Sequence, residues 1–269
     1  MNVTVITVCF NAKEDLKKTL RSVWEQTYTN MEYLVIDGGS TDGTIEYLKE
    51  YKTLFEKKGK LFRYVSESDN GTYDAMNKGA LIAQGKWINY MNAGDTFYCP
   101  DSLTLFFAHE IQANIGVVFG NTCQEYDFGI GIAKYEDYVK DNPIMPFCHQ
   151  SCFVRTKLMQ SYLFDTSYRI VADHDLFFRL HSAGVKYQYI DEVVARYNSQ
   201  YGLSATHPLL LRKEGLRIHH IKEKWYYPLV LLWVYVRYGW VQSFKNNMPH
   251  WITEAWIKHK KKYITNLKK

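Results

Sequence analysis

The chain opens on Val3 to Phe10, a run of β-branched and apolar residues with scarcely a polar break. That pattern predicts a strand buried on both faces of a parallel sheet. Glu14 to Trp24 then places Leu16, Leu20, Val23 and Trp24 at helical spacing. Tyr33 to Ile36 reads as a second strand, stopped by Asp37-Gly38-Gly39-Ser40-Thr41-Asp42-Gly43. A helix over Thr44 to Phe55, a strand over Leu61 to Val65, a helix over Thr72 to Ala83 and a strand over Trp87 to Met91 follow. Strand and helix alternating at short spacing are the signature of βαβ units.

Beyond Pro100 the pattern loosens. Ser102 to Ile111 reads as a helix and Gly116 to Phe119 as a strand, whereas Asn121 to Pro146 reads as irregular. Asp173 to Ala183 carries Leu176, Phe177 and Leu180 on one face, with Gly184 as a helix stop and Val185 to Ile190 as a further strand. From Trp225 the chain turns aromatic and apolar. Its uninterrupted apolar part, Pro228 to Val236, falls short of the ~20 residues that cross a bilayer. A packed terminal hairpin and a helix lying in a membrane interface both fit this stretch. The expected fold is α/β and Rossmann-like, a mostly parallel central sheet flanked by helices. The expected boundaries are 1–205, made of halves 1–99 and 100–205, and a helical, aromatic and basic extension over 206–269.

Composition narrows the class. At 269 residues and 46% hydrophobic, the chain can bury one large core, and neither disorder nor low complexity is evident. The five cysteines (9, 99, 123, 148 and 152) show no CxxC spacing. Their odd number, with a chain that starts directly in a strand, points to reduced thiols and a cytoplasmic protein. Cys148, His149 and Cys152 lack the second ligand pair that a zinc site needs. The net charge of +5 is concentrated, because seven lysines from Lys245 onward face the single acid Glu254. That tail suits the inner face of an anionic membrane, as a peripheral contact, better than it suits nucleic acid.

Chemistry-bearing residues gather at strand exits, where open α/β sheets bind ligands. Asp95 ends Asn92-Ala93-Gly94-Asp95 after the fourth strand, a hard oxygen anion suited to a divalent ion carrying phosphates. Asp37 ends the second strand, and two readings stand: a contact to a nucleobase, or a cap on its own Gly38–Ser40 turn. Thr7, Phe10 and Asn11 end the first strand, where an aromatic face and backbone groups suit a base and ribose. Asp173 opens a helix and can face a cleft. Asp175 lies two positions on, rotated about 200° at ~3.6 residues per turn, and pairs more naturally with Arg179. His149, Gln150 and His207 are polar residues among aromatics.

Taken in order, these segments resemble the family 2 inverting glycosyltransferases of the GT-A fold. The resemblance rests on Thr7-Val8-Cys9-Phe10-Asn11, Val35 through Thr44, Asp69 through Gly79, Asn92 through Asp95, and Ala172 through Leu176. Within that family the chain looks most like bacterial capsule, exopolysaccharide and O-antigen enzymes. The resemblance implies a nucleotide-sugar half over 1–99 and an acceptor half over 100–205. It implies that Thr7, Phe10, Asn11, Asp37, Ser40, Asp69, Gly71, Asp74, Asn77, Lys78, Asn92, Ala93 and Gly94 form the donor pocket. Asp95 would hold Mn²⁺ or Mg²⁺, Asp173 would deprotonate the acceptor, and His149 and Gln150 would meet the acceptor. A UDP-sugar donor and a glycan or lipid-linked glycan acceptor follow. Two positions depart from the family pattern: Asp-Asp-Gly-Ser reads Asp37-Gly38-Gly39-Ser40, and Asp-x-Asp-Asp reads Asn92-Ala93-Gly94-Asp95. A nucleotidyltransferase would need a glycine-rich basic loop where Asn11-Ala12-Lys13-Glu14-Asp15 stands, and a binding protein without catalysis is the other alternative.

Overall fold

The computed structural model describes residues 1–126, 129–136, 144, 145, 147–198, 206–220, 223–246, 249, 252 and 264–266. Its first part follows the hydrophobic pattern closely. Strand β1 (Val3–Cys9) leads to α1 (Lys13–Glu25), β2 (Met31–Asp37), α2 (Thr44–Lys57), β3 (Leu61–Ser66), α3 (Thr72–Ile82) and β4 (Trp87–Tyr90). Strands β1, β2 and β4 are buried at every position, as expected of strands covered on both faces.

The four strands lie in the order β3-β2-β1-β4, all parallel, with β1 paired to β2 on one side and β4 on the other. The chain therefore winds one way from β1 to β3 and the other way to β4. Loops leaving β1 and β4 diverge at this switch point and open a crevice. One apolar cluster, including Leu16, Leu20, Val35, Leu48 and Trp87, fills one face of the sheet. The other, including Ile6, Ile36, Met76, Leu176 and Phe177, fills the opposite face.

The second part differs from expectation. After β5 (Thr96–Phe97) and α4 (Ser102–Ala108), strand β6 runs over Ile115–Tyr126 and returns antiparallel as β7 (Gly129–Ala133). Much of the stretch that reads as irregular is thus a hairpin, whose long paired strands override the weak periodicity of Gly120, Asn121 and Gln124. Three short elements also escape the pattern: a 3₁₀ turn at His149–Ser151, β8 (Cys152–Arg155) and α5 (Thr156–Tyr162). Strand β8 pairs antiparallel with both β4 and β6 and joins the two parts into one mixed sheet. Helix α6 (Ala172–Ser182) and β9 (Lys186–Asn198) follow, β9 lying parallel to β6.

Helices α7 (Pro208–Ile218) and α8 (Tyr227–Asn246) form the C-terminal extension, and β10 (Ile264–Asn266) pairs with β7. No helix among the described residues is long and apolar enough to cross a membrane. Helix α8 buries Val234 yet leaves Leu229, Leu232, Trp233 and Val236 exposed, a stripe at i, i+3, i+4 and i+7 on one side. The side chains of the lysine-rich segment from Lys245 lie outside the described residues.

Candidate active site

A cleft of about 700 Å³ opens at the switch point, with Phe10, Asp69, Tyr73, Asn92, Asp95, His149 and Asp173 on its walls. At its first end, β1 and β2 deliver their loops side by side. Asp37 is fully buried, and its carboxylate accepts the N–H groups of Gly39 (3.1 Å) and Ser40 (3.0 Å) and the hydroxyls of Ser40 (2.5 Å) and Ser66 (2.6 Å). The Cys9 thiol, 3.6 Å away, completes the set. The carboxylate thus caps its own Gly38–Ser40 turn.

The neighbouring residues share that bracing role. Asn11 donates its N–H to Ser40 Oγ and accepts from the Thr41 N–H, so Asn11 and Ser40 stitch the two loops together. Thr7 is buried, donates to the Met91 carbonyl at 2.6 Å and accepts from the Tyr33 hydroxyl, which keeps it off the cleft wall. Asn77 makes a two-bond clasp with the backbone of Phe164. Lys78 donates to the Ser68 carbonyl and pairs with Glu67, while Asp74 accepts from the Asn70 N–H. In this structure the side chains of Thr7, Asn11, Asp37, Ser40, Asn77 and Lys78 hold the loops that line the cleft. Their polarity gave the right neighbourhood, and their pairing could not be read from one sequence.

Two donor-end groups do face the cleft. Phe10 is 62% exposed, an expensive placement for an aromatic ring unless something covers it. Asp69 accepts the Gly71 N–H through one oxygen at 2.8 Å. Its other oxygen lies 2.5 Å from where a Cβ at position 38 would stand. Gly38 thus leaves room for Asp69, whose carboxylate fills the space that a side chain at position 38 would need. Helix α3 begins at Thr72, one residue after Gly71.

At the other end, β4 exits into Asn92–Asp95. Gly94 adopts φ +100, open to glycine alone at little cost, and its N–H bonds Thr19 Oγ1 at 3.0 Å. Thr19 in turn donates to the Asp95 carbonyl, so α1 fixes the turn. Burial pushes the Asp95 carboxyl up to about 6, against the opposing pull of His149 and of a hydrogen bond from Gln150. Gln150 is itself buried and donates to Asp95 Oδ2 at 3.0 Å. It holds Asp95 in place while lining the cleft beside it. Asn89 of β4 donates to the carbonyls of Gln150 and Cys152 and nails the 3₁₀ turn to the sheet.

His149 stands between Asp95 and Asp173. Its Nδ1 lies 3.6 Å from Asp173 Oδ2 and its Nε2 lies 3.4 Å from Asn92 Nδ2. Burial alone would lower its pKa, but the bond to Asp173 and the charges of Asp173 and Asp95 outweigh that and raise it. Asn92 Oδ1 is buried with no hydrogen-bond partner. Asp173, at the first turn of α6, accepts the His174 N–H. Asp175 faces away and pairs with Arg179 at 2.8 Å, and Arg179 also holds the carbonyls of Tyr162 and Leu163.

One functional residue escapes the sequence pattern altogether. Glu214 of α7 is buried, and its carboxylate accepts the backbone N–H groups of Arg169 (2.9 Å), Ile170 (2.9 Å) and Val171 (3.2 Å). The Tyr73 hydroxyl donates to the Ile170 carbonyl at 2.7 Å. The segment leading into Asp173 is thereby gripped from two sides. A glutamate in an amphipathic helix carries no signal of such a role.

The cleft sets an exposed aromatic ring and Asp69 at one end against Asp95, His149 and Asp173 at the other. The profile described as "Glycosyl transferase family 2" matches residues 4–163. The chain is 31% identical over 225 residues to a "PGL/p-HBAD biosynthesis glycosyltransferase" of Mycobacterium tuberculosis, covering 80% of this chain and 82% of that one. A mannosyltransferase from Pyrobaculum calidifontis, solved with GDP-Man and Mn²⁺, has a similar fold, with TM-score 0.64 and 17% identity over 97% of this chain and 81% of that one. S. aureus TarS 1-349 in complex with UDP-GlcNAc matches with TM-score 0.60 and 14% identity over 77% of this chain, which spans 61% of the TarS fragment. The chain belongs to glycosyl transferase family 2 and has its GT-A fold.

Proposed function

We propose that the protein moves a sugar, with inversion, from a nucleotide-diphosphate sugar to a hydroxyl of a glycan or lipid-linked glycan. The observation that carries this reading is one cleft holding Asp95 and Asp173 on opposite elements with His149 between them. Phe10 offers a face on which the base stacks, and Asp69 stands where the ribose is reached, with UDP the favoured nucleotide. Asp173 takes the proton of the acceptor hydroxyl as its oxygen attacks the anomeric carbon from the side opposite the leaving group. His149 orients the Asp173 carboxylate and shields it from solvent. Because these groups are placed before reaction, positioning supplies much of the acceleration.

The residues present fit a divalent cation. Asn92 Oδ1 is a buried oxygen without a partner, and Asp95 is a carboxylate held among groups that leave its charge under-compensated. Among the described residues no set of three or more His, Cys, Asp or Glu surrounds a metal position, so donor phosphates and water would complete the shell. Bound there, Mn²⁺ or Mg²⁺ would supply positive charge to the departing diphosphate. A panel of UDP- and GDP-sugars assayed for nucleoside diphosphate release tests the reading. At least one donor should be consumed with Mn²⁺ and none by Asp95→Asn. Unimpaired nucleotide binding without any turnover would favour the non-catalytic alternative.

The exposed stripe of α8 supports peripheral contact with an anionic membrane. Leu229, Leu232, Trp233 and Val236 share one side, and Arg237 stacks on Trp233. Leu232→Ser with Trp233→Ser should cut sedimentation with anionic vesicles several-fold. Equal sedimentation of parent and variant would remove this part of the reading.

A further inference from the structure

Beside the main cleft lies a smaller cavity of about 300 Å³ that shares Gly71, Thr72, Tyr73, Arg169 and Ile170 with it. The smaller cavity contains none of Phe10, Asn92 and Asp95 and instead reaches Asn70, Asp74, Tyr168 and His207. It lies between the loop that opens α3 and the segment Tyr168–Ile170 that leads into Asp173.

Arg169 is the unusual group here. Its backbone is rigid, because Glu214 takes its N–H and those of the next two residues. Its side chain is exposed and has no hydrogen bond, ion pair or ring contact among the described residues. The nearby arginines are committed: Arg179 to Asp175 and two carbonyls, Arg217 to Asp165, Ser167 and the ring of Tyr168. The nearby acids are committed as well. Asp74 accepts from Asn70, Glu214 accepts three amides, and Asp173 is held by His149 and the His174 N–H. A guanidinium on a fixed backbone, between two cavities and without an acid of its own, is arranged for an oxyanion brought by a ligand. Guanidinium forks bind phosphate or carboxylate through paired, charge-assisted bonds.

Building on the proposed glycosyl transfer, we infer that Arg169 and the smaller cavity form an acceptor subsite that binds an oxyanion, such as a phosphate carried by the acceptor. The subsite anchors the acceptor by its charged group while its hydroxyl is presented to Asp173. A neutral acceptor of the same sugar lacks that anchor.

The test uses the full chain saturated with UDP and Mg²⁺, titrated with glucose 1-phosphate and followed by ³¹P NMR, with glucose as the neutral control. The parent should bind glucose 1-phosphate saturably and glucose far more weakly. Arg169→Ala should weaken glucose 1-phosphate about tenfold or more and Arg169→Lys less, since a lysine keeps the charge but not the fork. UDP affinity should stay within about twofold in both variants. Both fold as the parent does, because the side chain is exposed and the backbone N–H bonded by Glu214 is retained. Equal glucose 1-phosphate affinity in parent and Arg169→Ala, or none in the parent, would overturn the subsite. So would a tenfold loss of UDP affinity with glucose 1-phosphate competing against UDP, since the oxyanion would then be the donor's own phosphate. Failure of the parent to bind UDP with Mg²⁺ would instead strike the nucleotide-sugar reading, and glucose 1-phosphate titrated alone would still decide the role of Arg169.

Discussion

The two ends of the cleft treat their polar groups in opposite ways. At the first end, Asp37 and Asp42 are saturated by their own loops. Asp37 takes a full set of turn donors, and Asp42 accepts the Lys13 N–H and both the N–H and hydroxyl of Thr44. At the second end, Asn92 Oδ1 is buried and unpaired, the Asp95 carboxyl is pushed up by burial, and His149 stands between carboxylates. Buried polar groups are normally satisfied, so a cluster that is not marks a place kept for something else. The first end is shaped by folding and lends its surface to a ligand; the second is held ready for chemistry.

The sharpest way to break this contrast is Asp173→Asn, which keeps size and removes basicity. Transfer should fall by roughly 10²–10⁴-fold while nucleotide affinity stays near that of the parent. Asp175→Asn should instead lower thermal stability with a smaller loss of rate. Single-turnover transfer by both variants decides, and a fully active Asp173→Asn would reverse the assignment.

Glu214→Gln probes the reaction end from behind, through the grip on residues 169–171. An amide makes weaker bonds to three N–H groups than a carboxylate, and losses of about 1–3 kcal/mol in stability are expected. If Glu214 positions Asp173, kcat for transfer should fall about tenfold at a temperature where the variant is fully folded, with the donor KM unchanged. An unchanged kcat would reduce it to a structural brace.

Phe10→Ala tests the first end. Loss of a stacking face should cost about 1–3 kcal/mol of nucleotide affinity, read by calorimetry, with thermal stability untouched because the ring is exposed. An unaltered affinity would show that the ring covers something other than the base.

The smallest effect concerns Asp42. The Thr44 hydroxyl bond holds its carboxyl below the ordinary value of 3.8; burial opposes this, and the Lys13 and Thr44 N–H groups add to the lowering. A depressed native pKa means the stability it contributes is full above about 3.8 and is lost as the pH falls through the native value. Thermal melts of the parent should therefore drop more steeply below pH 4 than those of Asp42→Asn. Parallel curves would show that the loop is held without this charge.

Much of this architecture was legible in the sequence, and the exceptions share a cause. Strands β1, β2 and β4 announce themselves because burial on both faces demands continuous apolarity, and the exit of β4 delivers Asp95 to the cleft. The hairpin of β6 and β7 was hidden, since pairing rather than hydrophobic alternation defines it. The same holds for the site. Chemical type marked Asp37, Asn77 and Lys78 as candidates, but which partner each would meet depends on segments far along the chain: Asn77 closes on Phe164, Glu214 on Ile170. The room that Gly38 leaves for Asp69 is equally non-local.

The grip of Glu214 also bears on how such enzymes can be recombined. A division after residue 205 looks natural from composition, as though the extension were a removable handle. Yet the carboxylate that steadies the approach to Asp173 comes from beyond that line, and Arg217 and His219 of the same region pack on Tyr168 and His174. A chimera that exchanges only the region after 205 would separate a lock from its key. Exchanging residues 169–182 and α7 together keeps both, and gives C-terminal segments of different character a common, portable hinge to the reaction centre.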